Sequence, residues 1–197
     1  MKKKILGPRI AVFLDRDGTV NEDRGYVTSV EEFVLFPGVG ESIARLNHLG
    51  FPVLVVTNQS AIGRGLMTEQ DLTGIHENLS CCLKKVGAHV DAFYFCPHQP
   101  ADRCGCRKPQ PGMIHRAVLE FSLDPAGCYL IGDKPSDLEA AQASGIRGVL
   151  VKTSPYAQQA LDACEAGQLS IAHIAESLPH AVDWIIQELF PGHGTNP

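Results

Sequence analysis

Five short apolar runs recur along the chain, and the stretches between them carry the spacing of amphipathic helices. The runs are residues 9–14 (RIAVFL), 52–57 (PVLVVT), 90–95 (VDAFYF), 128–131 (CYLI) and 148–151 (GVLV). They are rich in β-branched and aromatic residues and too short to be helices, so they read as buried strands. Helices are expected at about residues 40–48, 68–86, 112–121 and 136–143. Thr68 followed by Asp71 has capping-box spacing, and Gly87 closes that helix. Behind Ser177, the residues Leu178, Ala181, Val182, Ile185, Ile186 and Leu189 form a helical stripe. Strand–helix alternation of this kind demands crossovers, hence parallel pairing with helices on both faces. The expected fold is α/β, a Rossmann-like three-layer sandwich around a mainly parallel sheet. In such sheets ligands bind outside the carboxyl ends of the strands.

Bulk properties narrow the class. A chain of 197 residues suits one domain, here taken as residues 1–197. Its 44% hydrophobic and 20% charged residues are ordinary for a soluble protein. A net charge of −5 opposes a general nucleic-acid binder, which needs a basic face. No apolar run approaches a membrane span, and the MKKK start is followed by Gly7, Pro8 and Arg9, which break any signal-peptide pattern. Seven unevenly placed cysteines do not form a disulfide framework. The expectation is a cytoplasmic monomer.

The strand ends carry chemistry. After the first run comes Asp15-Arg16-Asp17-Gly18-Thr19, two carboxylates spaced to face one pocket. Close like charges need a cation or a proton between them. A solvated Asp-Gly turn is the plainer alternative. The second run ends in Thr57-Asn58-Gln59-Ser60, whose hydroxyls and amides suit anionic oxygens or merely a turn. Gly132-Asp133-Lys134-Pro135-Ser136-Asp137 places a second carboxylate pair at another strand end; a capped helix start is its alternative. Arg107 and Lys108 read alone as a basic turn. Taken jointly, carboxylates from two strand ends suit Mg2+, and a hydroxyl with nearby cations suits phosphate.

Cys96-x-His98 and Cys104-x-Cys106 supply three thiolates and an imidazole within a Pro/Gly-rich loop, residues 96–106. That set completes a tetrahedral Zn2+ site and leaves no open position, so the metal would be a structural staple. A redox dithiol or unconnected thiols are the alternatives; a C-x-x-C pair at a helix start would favour the former. Cys81, Cys82, Cys128 and Cys164, and the histidines at 48, 76, 89, 115, 173, 180 and 193, show no partner pattern.

DRDGT, TNQS, CRKP and GDKPSD, in that order at strand ends, resemble the haloacid dehalogenase superfamily of aspartate-dependent phosphatases. The resemblance implies that Asp15 is the nucleophile and Asp17 the general acid and base. It implies that Thr57 and Lys108 stabilise the phosphoryl group. Mg2+ would be held by Asp15, the Asp17 backbone carbonyl and Asp133, with Asp137 further out. The zinc loop before CRKP is similar to two groups within the superfamily, the D-glycero-D-manno-heptose 1,7-bisphosphate 7-phosphatases and the histidinol-phosphate phosphatases. NEDRGYV and TNQSAIGRG tilt toward the first. On that pattern the substrate, a small phosphorylated sugar, would meet Arg16, Asp23, Arg24, Gly25, Tyr26, Asn58, Gln59, Ser60, Arg107 and Lys134. Polynucleotide 3′-phosphatases share the core motifs, and a non-catalytic zinc module is the remaining alternative. Some members have a longer stretch between the two halves of the zinc loop. About 15 residues separate Asp15 from the next apolar run, whereas a folded cap needs dozens, so no cap domain is expected.

Overall fold

The computed structural model describes residues 9–191; the MKKK start and His193 lie outside them. In chain order the elements are β1 (Val12–Leu14), α1 (Val39–His48), β2 (Val53–Asn58), α2 (Ser60–Gly63), α3 (Glu69–Lys84), β3 (Ala92–Cys96), α4 (Gly112–Phe121), β4 (Tyr129–Gly132), α5 (Pro135–Ala143), β5 (Arg147–Val151), α6 (Ala157–Glu165), β6 (His173–Ala175) and α7 (Leu178–Leu189). The strands form one six-stranded sheet in the order β3-β2-β1-β4-β5-β6. Every pairing is parallel, as in Val12 opposite Val53 on one side and Tyr129 on the other. The expected three-layer α/β fold is what the chain adopts.

Successive strand residues alternate between two cores. Val12, Leu14, Val53, Val55 and Ile131 pack with Ile43 and Leu46 of α1, Ile75 and Leu79 of α3, and Val182 and Ile185 of α7. Phe13, Leu54, Val56 and Leu130 face the other way, onto Met113, Ile114 and Ala117 of α4 and Ala140 and Ala141 of α5. Both faces are covered, which is why these strands read as near-continuous apolar runs. Thr68 caps α3: its Oγ1 accepts from the Asp71 amide at 3.1 Å, and its amide donates to Asp71 Oδ2 at 2.8 Å. Gly87 then turns the chain with φ +73°.

Two differences from the sequence reading follow from local physics. The first strand is only Val12–Leu14, because Arg9 makes just an isolated bridge to Leu123. The elements α6 and β6 were not anticipated. The sheet-facing residues of α6 are mainly small (Ala157 and Ala160), and β6 has three residues, so neither gives a long periodic signal. The link between β1 and α1, residues 15–38, is a single excursion pinned by isolated bridges from Asn21 to Asp17 and Leu35, with no folded insertion. Among the described residues no helix is long and apolar enough to cross a membrane.

Strand order reverses between β1 and β4, since β1 leads to β2 on one side and β4 leads away on the other. That reversal opens a crevice above the carboxyl ends of β1 and β4. Asp15 and Asp133 stand at its two sides.

Candidate active site

At the centre lies a buried ammonium between carboxylates. Lys108, on the loop after β3, donates from Nζ to Asp15 Oδ1 at 2.6 Å and to the Val56 carbonyl at 2.7 Å. Asp137 Oδ1 is a further 2.7 Å contact, off the hydrogen-bonding line and so electrostatic in character. Asp15, Asp137 and Lys108 are each at most 4% exposed. Burial works against ionisation of Asp15, but Lys108 and Lys134 outweigh it and hold its pKa below the usual range. Lys108 is likewise desolvated, yet Asp137 and Asp15 raise its pKa and keep it charged.

Asn58 aims this lysine. Its side chain donates to the Lys108 carbonyl and accepts from the Lys108 amide, both at 3.0 Å. Both polar ends of the Asn58 side chain are thus committed to the Lys108 backbone, which differs from the substrate contact expected of it. The sequence signal was only its place at a strand end.

Asp15, Asp133 and Asp137 each offer a carboxylate oxygen, and these oxygens lie within 4.8 Å of one another. Asp133 is fully buried, and its Oδ2 has no hydrogen-bond partner. Burial, then the Asp15 and Asp137 charges, pushes Asp133 up to about 7. Gly18 leaves the room: a Cβ there would sit 2.4 Å from Asp133 Oδ2. A crowded set of hard oxygen donors with an orphaned buried oxygen fits Mg2+. Asp137 belongs to this cluster directly, and its Oδ2 also accepts from the Lys134 amide at the start of α5. The Asp17 carbonyl, the remaining expected donor, accepts from Lys134 Nζ at 3.1 Å, while Nζ also reaches Asp23 Oδ2 at 2.9 Å.

Asp17 shares a small cavity of about 40 Å³ with Asp15, Thr57, Asn58, Lys108, Lys134, Ser136 and Asp137. Its carboxylate belongs to a separate network. Arg16 donates from Nε and Nη2 at 2.9–3.0 Å, Asn21 Nδ2 at 2.9 Å and Gln59 Nε2 at 2.8 Å. Gln59 also donates to Thr57 Oγ1 at 2.8 Å. This corrects the expectation that Arg16 touches substrate: it is fully buried and its charge is spent on Asp17. The i, i+2 spacing of Asp15 and Asp17 did not foretell two networks, because β1 ends at Leu14 and strand alternation stops there.

Two depressions flank the centre. One, about 410 Å³, is lined by Arg103, Arg107, Lys108 and Gln110. The other, about 380 Å³, is lined by Asp23, Gly25, Phe36, Thr153, Ser154 and Tyr156. Arg24 pairs with Glu22 at the rim, Tyr26 is exposed, and Ser60 is buried at the start of α2. Thr19, Asn21, Thr153, Ser154 and Tyr156 were not singled out from sequence. Thr19 Oγ1 donates to Asp133 Oδ1 at 3.2 Å, Thr153 Oγ1 donates to the Gly18 carbonyl, and Lys134 Nζ sits 5.4 Å from the Tyr156 ring centre. Thr153, Ser154 and Tyr156 follow β5, a strand end that carried no recognisable motif. A surface depression of about 660 Å³ beside Arg45, His48 and His89 lies at the opposite end of the sheet.

The cysteine loop closes next to Lys108. Cys96 Sγ is 3.5 Å from both His98 Nδ1 and Cys104 Sγ, and Cys106 Sγ is 3.3 Å from Cys96 Sγ and His98 Nδ1. Disulfide sulfurs would be about 2.05 Å apart. The edges of a tetrahedral zinc–thiolate site are about 3.7 Å, close to this spacing. The four donors therefore fit Zn2+. Burial raises the pKa of Cys96, whereas the Arg107 and Cys106 amides overcome burial at Cys104 and lower it to about 7. Two glycines let the loop seat closely. Added Cβ atoms would meet the Pro97 carbonyl at 2.7 Å from Gly63, and the Gly105 carbonyl at 2.3 Å from Gly112. Arg107 donates to the His98 carbonyl at 3.2 Å, tying the basic pair to the cage.

Comparison with known proteins agrees with this geometry. A family model described as polynucleotide kinase 3 phosphatase matches residues 9–142, and one described as HAD-hydrolase-like matches residues 105–181. A D-glycero-beta-D-manno-heptose-1,7-bisphosphate 7-phosphatase of Yersinia pestis is 43% identical over 73% of this chain and 80% of its own length. That of Photorhabdus laumondii is 39% identical over 89% of this chain and 96% of its own. The crystal structure of a D,D-heptose 1,7-bisphosphate phosphatase from B. bronchiseptica, complexed with magnesium and phosphate, superposes with a TM-score of 0.84. It is 36% identical and covers 91% of this chain and 99% of its own. The chain belongs to the haloacid dehalogenase-like hydrolases.

Proposed function

We propose that this chain is a Mg2+-dependent phosphatase that removes the 7-phosphate of D-glycero-D-manno-heptose 1,7-bisphosphate through an aspartyl-phosphate. The observation that carries the reading is the buried Asp15–Lys108 pair beside the Asp133 and Asp137 carboxylates at the sheet's switch point. An ionised Asp15 carboxylate attacks phosphorus and the sugar oxygen leaves. Asp17 gives that oxygen a proton, then takes one from the water that hydrolyses the acyl phosphate. Lys108 and Thr57 hold the phosphoryl oxygens as charge shifts among them. Asp15, Asp133 and the Asp17 carbonyl, with Asp137 alongside, would hold Mg2+, which would supply positive charge against the repulsion between nucleophile and phosphate. Cys96, His98, Cys104 and Cys106 would hold Zn2+, which would serve as a structural staple for Arg107 and Lys108.

The sugar assignment rests on the relatives' shared name, which specifies the β anomer, and we carry that anomer over. Asp23, Arg24, Gly25 and Tyr26 on one side, and Arg107 on the other, then meet the parts of the sugar away from the reacting phosphate. Arg16, Asn58 and Gln59 act by orienting Asp17 and Lys108, and Ser60 by seating the turn beside them. A cytoplasmic monomer without nucleic-acid partners completes the reading, in keeping with a net charge of −5.

The match to a polynucleotide kinase 3 phosphatase model favours a second reading, a 3′-phosphatase acting on oligonucleotides. A phosphate-release panel decides. Heptose 1,7-bisphosphate in both anomers, histidinol phosphate, fructose 1,6-bisphosphate and a 3′-phosphorylated oligonucleotide are each assayed with and without Mg2+. Preference for the β-heptose substrate with Mg2+ is expected; preference for histidinol phosphate or the oligonucleotide overturns the assignment.

A further inference from the structure

His76 sits in the middle of α3 with no part in the chemistry above, yet it is buried and aimed at the site. Its ring stacks on Phe93 of β3, with centroids 4.3 Å apart and planes 14° from parallel. Its Nε2 lies 3.5 Å from Arg16 Nη1, a long contact. The guanidinium is thus divided. Nε and Nη2 hold Asp17, and Nη1 turns to the imidazole. A buried cation with an unmatched donor is costly, so the fully buried Arg16 needs an acceptor on that side. Only a neutral imidazole can accept. Burial and then the Arg16 charge push His76 down to about 3, which keeps the lone pair available.

We propose that His76 is a positioning residue for proton transfer: braced on Phe93, it sets the guanidinium of Arg16, which in turn fixes the carboxylate of Asp17. The inference rests on reading Asp17 as the group that protonates the leaving oxygen. It assigns work to a side chain on a helix that contributes no group lining the central cavity.

The test exploits leaving-group chemistry. An alkoxide such as a sugar oxygen needs a proton to depart, whereas p-nitrophenolate does not. Single-turnover release of the leaving alcohol or phenol, which precedes hydrolysis of the acyl phosphate, is measured for a sugar phosphate and for p-nitrophenyl phosphate, in wild type, His76→Leu, His76→Gln and Asp17→Asn, with thermal melting of each. Asp17→Asn should slow the sugar phosphate about a hundredfold and spare p-nitrophenyl phosphate within about threefold. His76→Leu should show the same selectivity at about tenfold. His76→Gln, which restores an acceptor, should recover most of the loss. Equal slowing of both substrates by His76→Leu, no slowing of either, or no recovery with His76→Gln overturns the role of His76. Equal slowing of both substrates by Asp17→Asn overturns instead the reading on which it rests.

Discussion

Replacing Lys108 by methionine keeps most of the side-chain volume and removes the charge in contact with both Asp15 and Asp137. In wild type, Nζ donates to Asp15 and the Val56 carbonyl and stands against Asp137, all at 2.6–2.7 Å. Without it, three carboxylates whose oxygens lie within 4.8 Å of one another share a buried space. Removing one partner of a buried ion pair costs about 3–5 kcal/mol. At about 2–4 °C per kcal/mol for a chain of this size, melting should fall by about 6–20 °C without Mg2+. The loss should also depend on pH. Asp133, already raised to about 7 by burial and its carboxylate neighbours, binds a proton in the folded state that the unfolded chain releases near 4. Stability from that proton is therefore lost as pH rises through about 7, and Lys108→Met steepens the loss by removing a countercharge. Denaturation midpoints at about pH 6 and pH 8, with and without Mg2+, provide the assay. The variant should be worse at pH 8, and Mg2+ should restore more stability to it than to wild type. A midpoint within about 0.5 kcal/mol of wild type at both pH values would refute the argument.

Asp15→Asn should abolish phosphate release and burst formation alike; retained turnover would exclude a carboxylate nucleophile. Asn58→Leu deletes both links to the Lys108 backbone and should lower kcat and the melting temperature together, at a cost of about 1–3 kcal/mol. A rise in KM alone would instead make Asn58 a phosphate contact. His76 has a folded pKa of about 3 against 6.5 unfolded, so the unfolded chain binds the extra proton and stability drops as pH falls below 6.5. Between pH 6.5 and 5 this amounts to about 2 kcal/mol. Denaturation of His76→Gln should lack that acid-side slope, and an unchanged slope counts against a buried neutral ring. Cys104→Ser should lower zinc per chain, measured by atomic emission, and melt earlier, whereas Cys81→Ser on the exposed face of α3 should leave both unchanged.

Sequence reading succeeded where one residue type admits few uses. Parallel strands buried on both faces must be apolar throughout, so five of the six strands were visible as runs. Four ligand-type residues in an eleven-residue loop have few joint uses, and they do converge. Reading failed where the determinant is a partner distant in the chain. Arg16 looked like a substrate contact because it stands between two catalytic-type carboxylates, and only the packing of α3 against the β1 turn reveals that it faces inward to His76. Thr153 was invisible for a similar reason: its role depends on a hydrogen bond to Gly18, 135 residues earlier. Asp137 was legible as a helix-start residue and as a metal-cluster candidate, and it stands in both places: one oxygen caps α5 and the other lies in the carboxylate cluster beside Lys108.

These contacts explain how an uncapped site stays ordered. A folded lid would position loops by burying them, but residues 15–38 form no such domain. Rigidity must then come from beneath the crevice and beside it. From beneath, α3 presents His76 to Arg16, and the end of β2 presents Asn58 to Lys108 while Gln59 just beyond it reaches Asp17. From beside, the cysteine loop is clamped between α2 and α4 at Gly63 and Gly112, positions where any larger residue would strike backbone. The α3 support and the cysteine loop act on different groups, the first on the Asp17 carboxylate through Arg16 and the second on Lys108. Damage to the cysteine loop should therefore impair the first phosphoryl transfer for every leaving group, whereas damage to the α3 support should be felt in that step only where the leaving oxygen needs a proton. Comparing Cys104→Ser with His76→Leu on the same two substrates separates the two supports, and identical selectivity profiles would show that they are one.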